Sequence, residues 1–123
     1  GRPLRLEGGG EGLLDFTYID DLVNGMIRAL ALHGGGGESD TFNLTYGSAR
    51  SIAELASIVK KIIPNAILET SPKALDKPIR GTLRMDKARE RLGFYPKWPI
   101  EDGYKKYCEW YVTQWEKVMR TNG

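Results

Sequence analysis

The chain has 123 residues, of which 41% are hydrophobic and 28% are charged, a balance typical of one folded domain rather than a disordered segment. No apolar run approaches the roughly 20 residues that span a bilayer and no targeting signal is evident, so we expect no membrane partner. The formal charge of +2 is scattered along predicted helices, and this pattern argues against a nucleic-acid partner, which needs clustered cations.

The chain contains one cysteine, Cys108, and one histidine, His33. Cys108 cannot form an internal disulfide, and its aromatic, helix-periodic surroundings predict a small buried side chain; a reducing cytoplasm is the expected location. A histidine beside four glycines is typical of a loop, and these two residues are too few for a multi-Cys/His zinc site. We therefore expect no metal site.

The start of the chain predicts two short strands around a flexible loop. Leu4 and Leu6 alternate with charged residues, as in a strand with one apolar face. Residues 8–12 interrupt this pattern with four glycines, and residues 14–19 form a second extended segment.

A helix of about residues 20–32 follows, because apolar side chains recur there at helical spacing and Asp20 can accept a hydrogen bond from the amides at its start. The glycines 34–37 end this helix in a loop that we expect to be mobile. Residues 41–46 are rich in β-branched and aromatic side chains and therefore predict a third strand.

The middle of the chain predicts a helix with both ends marked. Ser51 and Glu54 have the spacing of a capping box, apolar residues follow at helical intervals, and Pro64 stops the helix. Residues 66–70 suggest another strand, and residues 71–80 suggest an exposed loop.

The last third predicts a short extended segment and two more helices. Residues 82–85 are interpreted as extended, Asp86 begins a short helix that Gly93 ends, and Pro99 precedes a final, aromatic-rich helix. The alternation of strands and helices predicts an α/β fold with few short strands, in a single domain of residues 1–123. We expect the capped helix and the final helix to pack their apolar faces on the strands.

Several motifs, taken in order, resemble the second half of one enzyme family. They are GRPLRLEG at residues 1–8, LDFTYIDDL at 14–22, FNL at 42–44, SIAEL at 51–55, DKA at 86–88, LGFYP at 92–96 and IEDG at 100–103. In content and spacing they resemble UDP-glucose and UDP-glucuronate 4-epimerases. These enzymes belong to a wider family of NAD-dependent nucleotide-sugar epimerases and dehydratases of the extended short-chain dehydrogenase type. The resemblance covers nearly the whole chain.

The resemblance implies a two-part enzyme, in which an N-terminal Rossmann part holds NAD and a C-terminal region closes over the nucleotide-sugar. The chain resembles the C-terminal region, without the Rossmann part. In the family a tyrosine base and a lysine four residues later serve the hydride transfer, but no tyrosine here is followed by lysine at that spacing. The glycines at 9–12 and 34–37 lack the strand, turn and helix context of a NAD motif, so we expect neither bound NAD nor catalysis from this chain alone.

The resemblance also carries over positions for binding a UDP-sugar. In the family, the extended segment corresponding to Leu4, Arg5, Leu6 and Glu7 runs beside the nucleotide base, although Glu7 stands where an aromatic residue is common. The alternative is that this segment is an ordinary edge strand, since its alternation alone predicts a strand.

Two cation positions complete this hypothesis. Leu14 stands where the family usually has an arginine that grips the diphosphate, so one charge-assisted contact is expected to be lost. A second family cation lies in the loop before the Asp86 helix, where Arg80 is the first candidate, Lys77 the second and Arg84 a further one. The alternative for these three residues is solvated loop charge.

Other conspicuous residues are interpreted as structural. The acidic residues Asp15, Asp20 and Asp21 suit a helix start. The aromatic residues of the final helix follow helical spacing, which favours core or interface positions over a platform for a nucleotide base.

Two functions follow from these observations. The leading hypothesis is the substrate-binding part of a sugar-nucleotide epimerase, which binds a UDP-sugar weakly; the alternative is a non-enzymatic binding or assembly module of the same fold. Because a Rossmann part would cover apolar side chains, we expect the isolated chain to form a homo-oligomer. The residues suspected of driving it are Leu13, Phe16, Met26 and Phe42.

Overall fold

The computed structural model describes residues 2–33, 39–73 and 78–121, so the glycines 34–37 lie outside it. Within these ranges the helices are α1 (Ile19–His33), α2 (Ile52–Ile62), α3 (Asp86–Leu92) and α4 (Ile100–Thr121). The strands are β1 (Leu4–Glu7), β2 (Leu13–Leu14), β3 (Arg50–Ser51) and β4 (Leu68–Ser71). The predicted α/β class with few short strands is confirmed. None of the described helices is both long and apolar enough to cross a membrane.

The described strands form two small sheets. β1 runs parallel to β4 along its whole length, starting with Leu4 opposite Leu68. β2 runs antiparallel to β3, which places Leu14 opposite Arg50. A short 3-10 turn, Gly8–Gly10, follows β1 and leads toward β2, so this turn connects the two sheets.

The predicted capping box begins α2. The Ser51 hydroxyl accepts a hydrogen bond from the Glu54 amide at 3.1 Å, and the Glu54 carboxylate accepts one from the Ser51 amide at 2.8 Å. These bonds satisfy backbone amides that the start of a helix leaves without partners. The helix ends just before Pro64, as the sequence predicts.

The largest buried cluster lies between α1 and α3. Its buried members are Met85, Ala88, Leu92 and Phe94, and the side chains of Ala29, Phe42 and Leu44 pack against them. The capped helix and the final helix, which we expected to pack their apolar faces on the strands, contribute no residue to this cluster. On α2 the buried residues are Ala56, Ile58 and Val59, which form a smaller group.

The helix α4 presents a row of aromatic side chains to solvent. Tyr107, Trp110, Tyr111 and Trp115 are between 47% and 57% exposed, and the rings of Tyr111 and Trp115 stack with centroids 6.3 Å apart. The expected core role is therefore wrong for these residues, and an interface role stays a prediction. Cys108 is half-buried rather than fully buried, and burial raises the pKa of its thiol.

Three segments predicted to be extended form no strand in the structure. They are residues 15–18, 41–46 and 82–85. The Asp15 carboxylate holds these parts of the chain together, because it accepts hydrogen bonds from the Gly47 amide at 3.0 Å and the Leu83 amide at 3.2 Å. A side chain thus takes the place of the strand pairing that the composition suggested.

A second carboxylate, that of Asp21, is 5% exposed and joins α1 to the segment before α4. Its two oxygens accept hydrogen bonds at 2.9 Å, one from the Lys97 amide and the other from the Trp98 amide. Asp21 is structural, as predicted, but it acts on a distant segment rather than on its own helix.

We predict that Asp21→Asn lowers the free energy of unfolding by about 2–3 kcal/mol, because the amide keeps one acceptor oxygen and turns an NH2 group toward a backbone donor. The neighbouring Asp20 is exposed, so Asp20→Asn is a matched control that should change stability by less than about 0.5 kcal/mol. Urea unfolding followed by circular dichroism measures both variants. Equal stabilities would contradict the role assigned to Asp21.

The Gly8–Gly10 turn packs against the start of α2. Gly10 is buried with a φ of +79°, and a Cβ at this position would lie 2.8 Å from the backbone nitrogen of Ala53. Gly9 has a φ of +71°, but a Cβ there would meet no atom within 4 Å. The loop predicted to be flexible therefore contains a defined turn.

Alanine substitutions at Gly9 and Gly10 distinguish the free-energy cost of a left-handed backbone from that of a steric clash. We predict that Gly9→Ala loses about 1–2 kcal/mol, the cost of a left-handed backbone for a residue with a Cβ. Gly10→Ala should lose a further ~1–3 kcal/mol, because its methyl group meets backbone rather than a movable side chain. Thermal unfolding measures the difference, and two equally stable variants would show that the turn does not pack on α2.

Candidate functional site

A groove of about 650 Å³ opens beside β1 and the Gly8–Gly10 turn, and we call it the charged groove. Its charged lining residues are Arg5, Glu7, Glu11, Lys73 and Arg80, and its apolar lining residues include Leu13, Leu14, Ile52 and Ile79. These residues come from well-separated parts of the chain. The volume and the mixture of apolar walls with a few charged groups are typical of small-molecule sites.

The strand β1 contributes alternate side chains to the charged groove. Arg5 and Glu7 line it, whereas Leu4 and Leu6 lie on the other face of the strand, as strand alternation requires. Arg5 also lies 3.9 Å from Glu69 on β4, but both side chains are more than half exposed, so this pair contributes little to stability. Of the β1 residues predicted to contact substrate, Arg5 and Glu7 therefore have side chains in the groove.

Leu14 lines the charged groove at the position where the resemblance predicts an arginine. Directly across the β2–β3 ladder is Arg50, whose guanidinium donates hydrogen bonds to Glu101 at 2.8 Å and to Glu54 at 2.9 Å. These bonds, first the one to Glu101 and then the one to Glu54, raise the pKa of Arg50. Arg50 is therefore engaged by two carboxylates and does not take the place of an arginine at position 14.

The predicted loop cations have different positions. Arg80 lines the charged groove. Arg84 is outside its lining and bonds to Asp86, with Nε at 2.9 Å and a terminal nitrogen at 2.6 Å from Oδ2. Lys77 lies outside the described residues. Arg80, the first candidate, is thus the one that the described structure places in the groove.

Lys73 is exposed, as the loop prediction for residues 71–80 has it, but that prediction did not foresee that Lys73 lines the charged groove. The parallel register places Ser71, the last residue of β4, opposite Glu7, the last residue of β1. The residues that follow the two strands therefore lie side by side. Lys73 could be placed in the groove only if this β1–β4 register were known, and the composition of two short strands does not reveal their register.

A smaller pocket of about 260 Å³ lies between the starts of α1 and α4. The rings of Tyr18 and Trp98 lie there with centroids 5.4 Å apart, and the Lys106 Nζ is 3.8 Å from the centroid of the Trp98 ring. The lining is mostly apolar and aromatic, which suits packing of another apolar surface better than orientation of a polar substrate.

The Gly8–Gly10 turn differs from the turn that binds the pyrophosphate of NAD. A NAD site needs a glycine turn between a strand and a helix whose amides face the phosphates. The Gly8–Gly10 turn instead follows β1 and leads to β2. In the same ranges, no three His, Cys, Asp or Glu side chains are grouped so that they could hold a metal ion.

Comparison with known proteins gives relatives in both sequence and structure, although no protein-family model matches. UDP-glucuronic acid decarboxylase 1 of Arabidopsis thaliana is 31% identical over 105 residues, which cover 82% of this chain and 22% of the relative. The UDP-glucose 4-epimerase of Thermotoga maritima, solved with UDP-glucose, has a TM-score of 0.80 at 25% identity, over 92% of this chain and 36% of its own. The enzyme WbmF of Bordetella bronchiseptica, solved with NADH, has a TM-score of 0.73 at 31% identity, over 97% of this chain and 36% of its own.

The chain therefore spans about a fifth of the decarboxylase and just over a third of each solved enzyme. The similarity extends through most of this chain. In sequence and in fold, the chain matches part of UDP-sugar epimerases, the family that its motifs predicted, and of UDP-glucuronic acid decarboxylases, which the motifs did not predict.

Proposed function

We propose that the charged groove is the nucleotide-sugar site of a UDP-sugar epimerase or decarboxylase, and that this chain is its substrate-binding part. One observation carries the proposal. Arg5, Glu7, Leu14 and Arg80, all positions that the resemblance assigns to substrate, line one groove although they are distant in sequence. The similarity to an epimerase solved with UDP-glucose supports the same substrate class.

The charged groove has groups suited to each part of a UDP-sugar. Among the described strands β1 pairs with β4, and backbone amides and carbonyls on the other edge of a strand can bond to a nucleotide base, as strand edges bond to peptides. Arg80 can form charge-assisted hydrogen bonds with phosphate. The carboxylates of Glu7 and Glu11 can accept hydrogen bonds from sugar hydroxyls.

In this proposal the chain binds a substrate and does not convert it. Hydride transfer needs a cofactor held against the sugar and a base within hydrogen-bond reach of the reacting hydroxyl. The sequence has no tyrosine followed four residues later by lysine, and the described residues offer no NAD-type turn. The remainder of such an enzyme would supply both groups.

The alternative function is a non-enzymatic binding or assembly module. Leu14 favours this alternative, since an apolar side chain at that position withholds a charge-assisted bond worth about 1.5–3 kcal/mol. For such a module, nucleotide-sugar affinity would not depend on the charge at position 14.

We predict that the chain binds UDP-glucose weakly, does not bind NAD, and turns over neither UDP-glucose nor UDP-glucuronate. Leu14→Arg should tighten UDP-glucose binding about ten- to a hundredfold, because it adds a charge-assisted contact to the diphosphate. Val112→Arg adds the same charge at an exposed position on α4 and is the matched control. Calorimetric titration measures the affinities.

The charge of Arg50, opposite position 14, is already balanced by Glu54 and Glu101, so it should not mask the gain in the arginine variant. Equal affinities of the unmodified chain and Leu14→Arg would show that the side chain at position 14 does not contact the diphosphate. Tight NAD binding, or any turnover by the pure chain, would overturn the non-catalytic proposal.

We also propose that the isolated chain self-associates through α1. One face of this helix carries apolar side chains that are between 44% and 75% exposed: Ile19, Val23, Met26, Ile27 and Leu30. The chain has 9242 Å² of accessible surface, whereas a compact monomer of 13.8 kDa has about 6,600 Å². The excess is larger than the ~800 Å² that each partner buries in a standard interface.

The residues suspected from the sequence differ in exposure. Leu13 and Met26 are exposed, whereas Phe16 and Phe42 are half-buried. Phe42 is a weaker candidate, because its side chain packs against the buried cluster and the Lys87 Nζ lies 5.0 Å from the centroid of its ring. Met26, on the exposed face of α1, remains the strongest of the original candidates.

We predict that light scattering at increasing concentration shows dimers or larger species of the unmodified chain. Leu30→Lys should shift the equilibrium toward monomer, because Leu30 is 75% exposed on the apolar face of α1 and the charge would have to be buried. Ala31→Lys adds the same charge one residue further along the helix, on a neighbouring face, and should have a smaller effect. A strict monomer at high concentration would count against self-association.

A further inference from the structure

The cations of the charged groove differ in how they are engaged. Arg5 lies 3.9 Å from Glu69. Lys73 and Arg80 form no hydrogen bond or ion pair in the part of the chain that the structure describes. Their charges are therefore available to an anion that enters the groove.

Gly8 sets the position of the Lys73 side chain. A Cβ at Gly8 would lie 3.0 Å from the Cβ, 3.1 Å from the Cγ and 3.3 Å from the Cδ of Lys73, so the lysine stem lies along the Gly8 backbone. Gly8 has a φ of +57°, which favours glycine, and the absence of a side chain there leaves room for the stem. Lysine commonly packs its methylenes in this way and keeps its ammonium in solvent.

The charges of the groove are also divided between segments. Both acids, Glu7 and Glu11, come from β1 and the segment just after the turn, which also contributes Arg5, whereas Lys73 follows β4 and Arg80 precedes α3. A diphosphate carries concentrated negative charge and is attracted to the segments that hold the unengaged cations. The sugar hydroxyls suit the acids, since carboxylates accept their hydrogen bonds.

Other cations near the groove are already engaged. Arg50, opposite Leu14, donates to Glu101 and Glu54, and Arg84 donates to Asp86. Leu14 itself brings no charge. Besides Arg5, which lies near Glu69, and Arg80, the described groove therefore offers Lys73 as a cation in place of an arginine at position 14.

We propose that Lys73, together with Arg80, binds the diphosphate of the nucleotide-sugar, and that Lys73 supplies the positive charge that Leu14 does not. This inference rests on the proposed function of the charged groove. It assigns Lys73 to the phosphates rather than to the base, so Lys73 strengthens the binding of UDP and UDP-glucose and not that of uridine.

The test compares the unmodified chain with Lys73→Met and with the control Lys105→Met, which removes the same charge from an exposed position on α4. Each protein is titrated with UDP-glucose, UDP and uridine. We expect Lys73→Met to weaken binding of both diphosphates about tenfold and to leave the uridine affinity unchanged. Lys73→Arg, which keeps the charge, should retain most of the affinity.

Salt gives a second readout. Added salt weakens a charge-assisted contact by screening, so the loss of UDP-glucose affinity between low and high ionic strength should be smaller in Lys73→Met than in the unmodified chain. Lys105→Met should show the same salt dependence as the unmodified chain.

The outcomes separate this inference from the proposed function. If the chain binds UDP-glucose and Lys73→Met binds it equally well, the inference is overturned and the proposed function stands. Equal weakening by Lys73→Met and Lys105→Met would also overturn it, because overall charge would then account for the effect. If the unmodified chain does not bind UDP-glucose at all, the proposed function fails and the inference fails with it.

Discussion

The parallel pairing of β1 with β4 is the interaction on which the charged groove depends. Parallel strands need a long crossover connection, and here the chain between them contains α1, β2, β3 and α2. The pairing brings Glu7 opposite Ser71, and only then can the turn after β1 and Lys73 after β4 be neighbours. The same turn packs on the start of α2 through Gly10, so a ladder of four residue pairs also determines where α2 meets the groove.

Two carboxylates connect the elements that short strands and separate helices leave apart. Asp15 lies between β2 and α1 and binds amides of two distant loops, while Asp21 on α1 binds amides of the segment before α4. A carboxylate that accepts several backbone hydrogen bonds satisfies amides that would otherwise be buried without a hydrogen-bond acceptor. This arrangement explains how a chain with few strand pairs keeps these loops in fixed positions.

The sequence predicts the helices well because their ends are marked by local chemistry. The capping box of Ser51 and Glu54 and the glycine at position 93 act within a few residues of the backbone they satisfy. The strands are predicted less well, because residues 41–46 have strand-like composition but find no strand partner, and Phe42 and Leu44 pack into the core instead. The composition of a segment indicates a preference for extended backbone. Whether the segment forms a strand depends on a partner strand, which only the tertiary structure provides.

The same distinction applies to the candidate site. Arg80 could be proposed from its place in a motif, but Lys73 could not, because its role depends on the β1–β4 register and on the space beside Gly8. A residue-by-residue comparison sees Leu14 as the loss of a cation and therefore favours a module without nucleotide-sugar binding. A phosphate responds to the position of a charge in space and not to its position in the sequence. Leu14 thus argues against substrate binding only if no other unengaged cation lies in the groove, and Lys73 is one of the residues that line it.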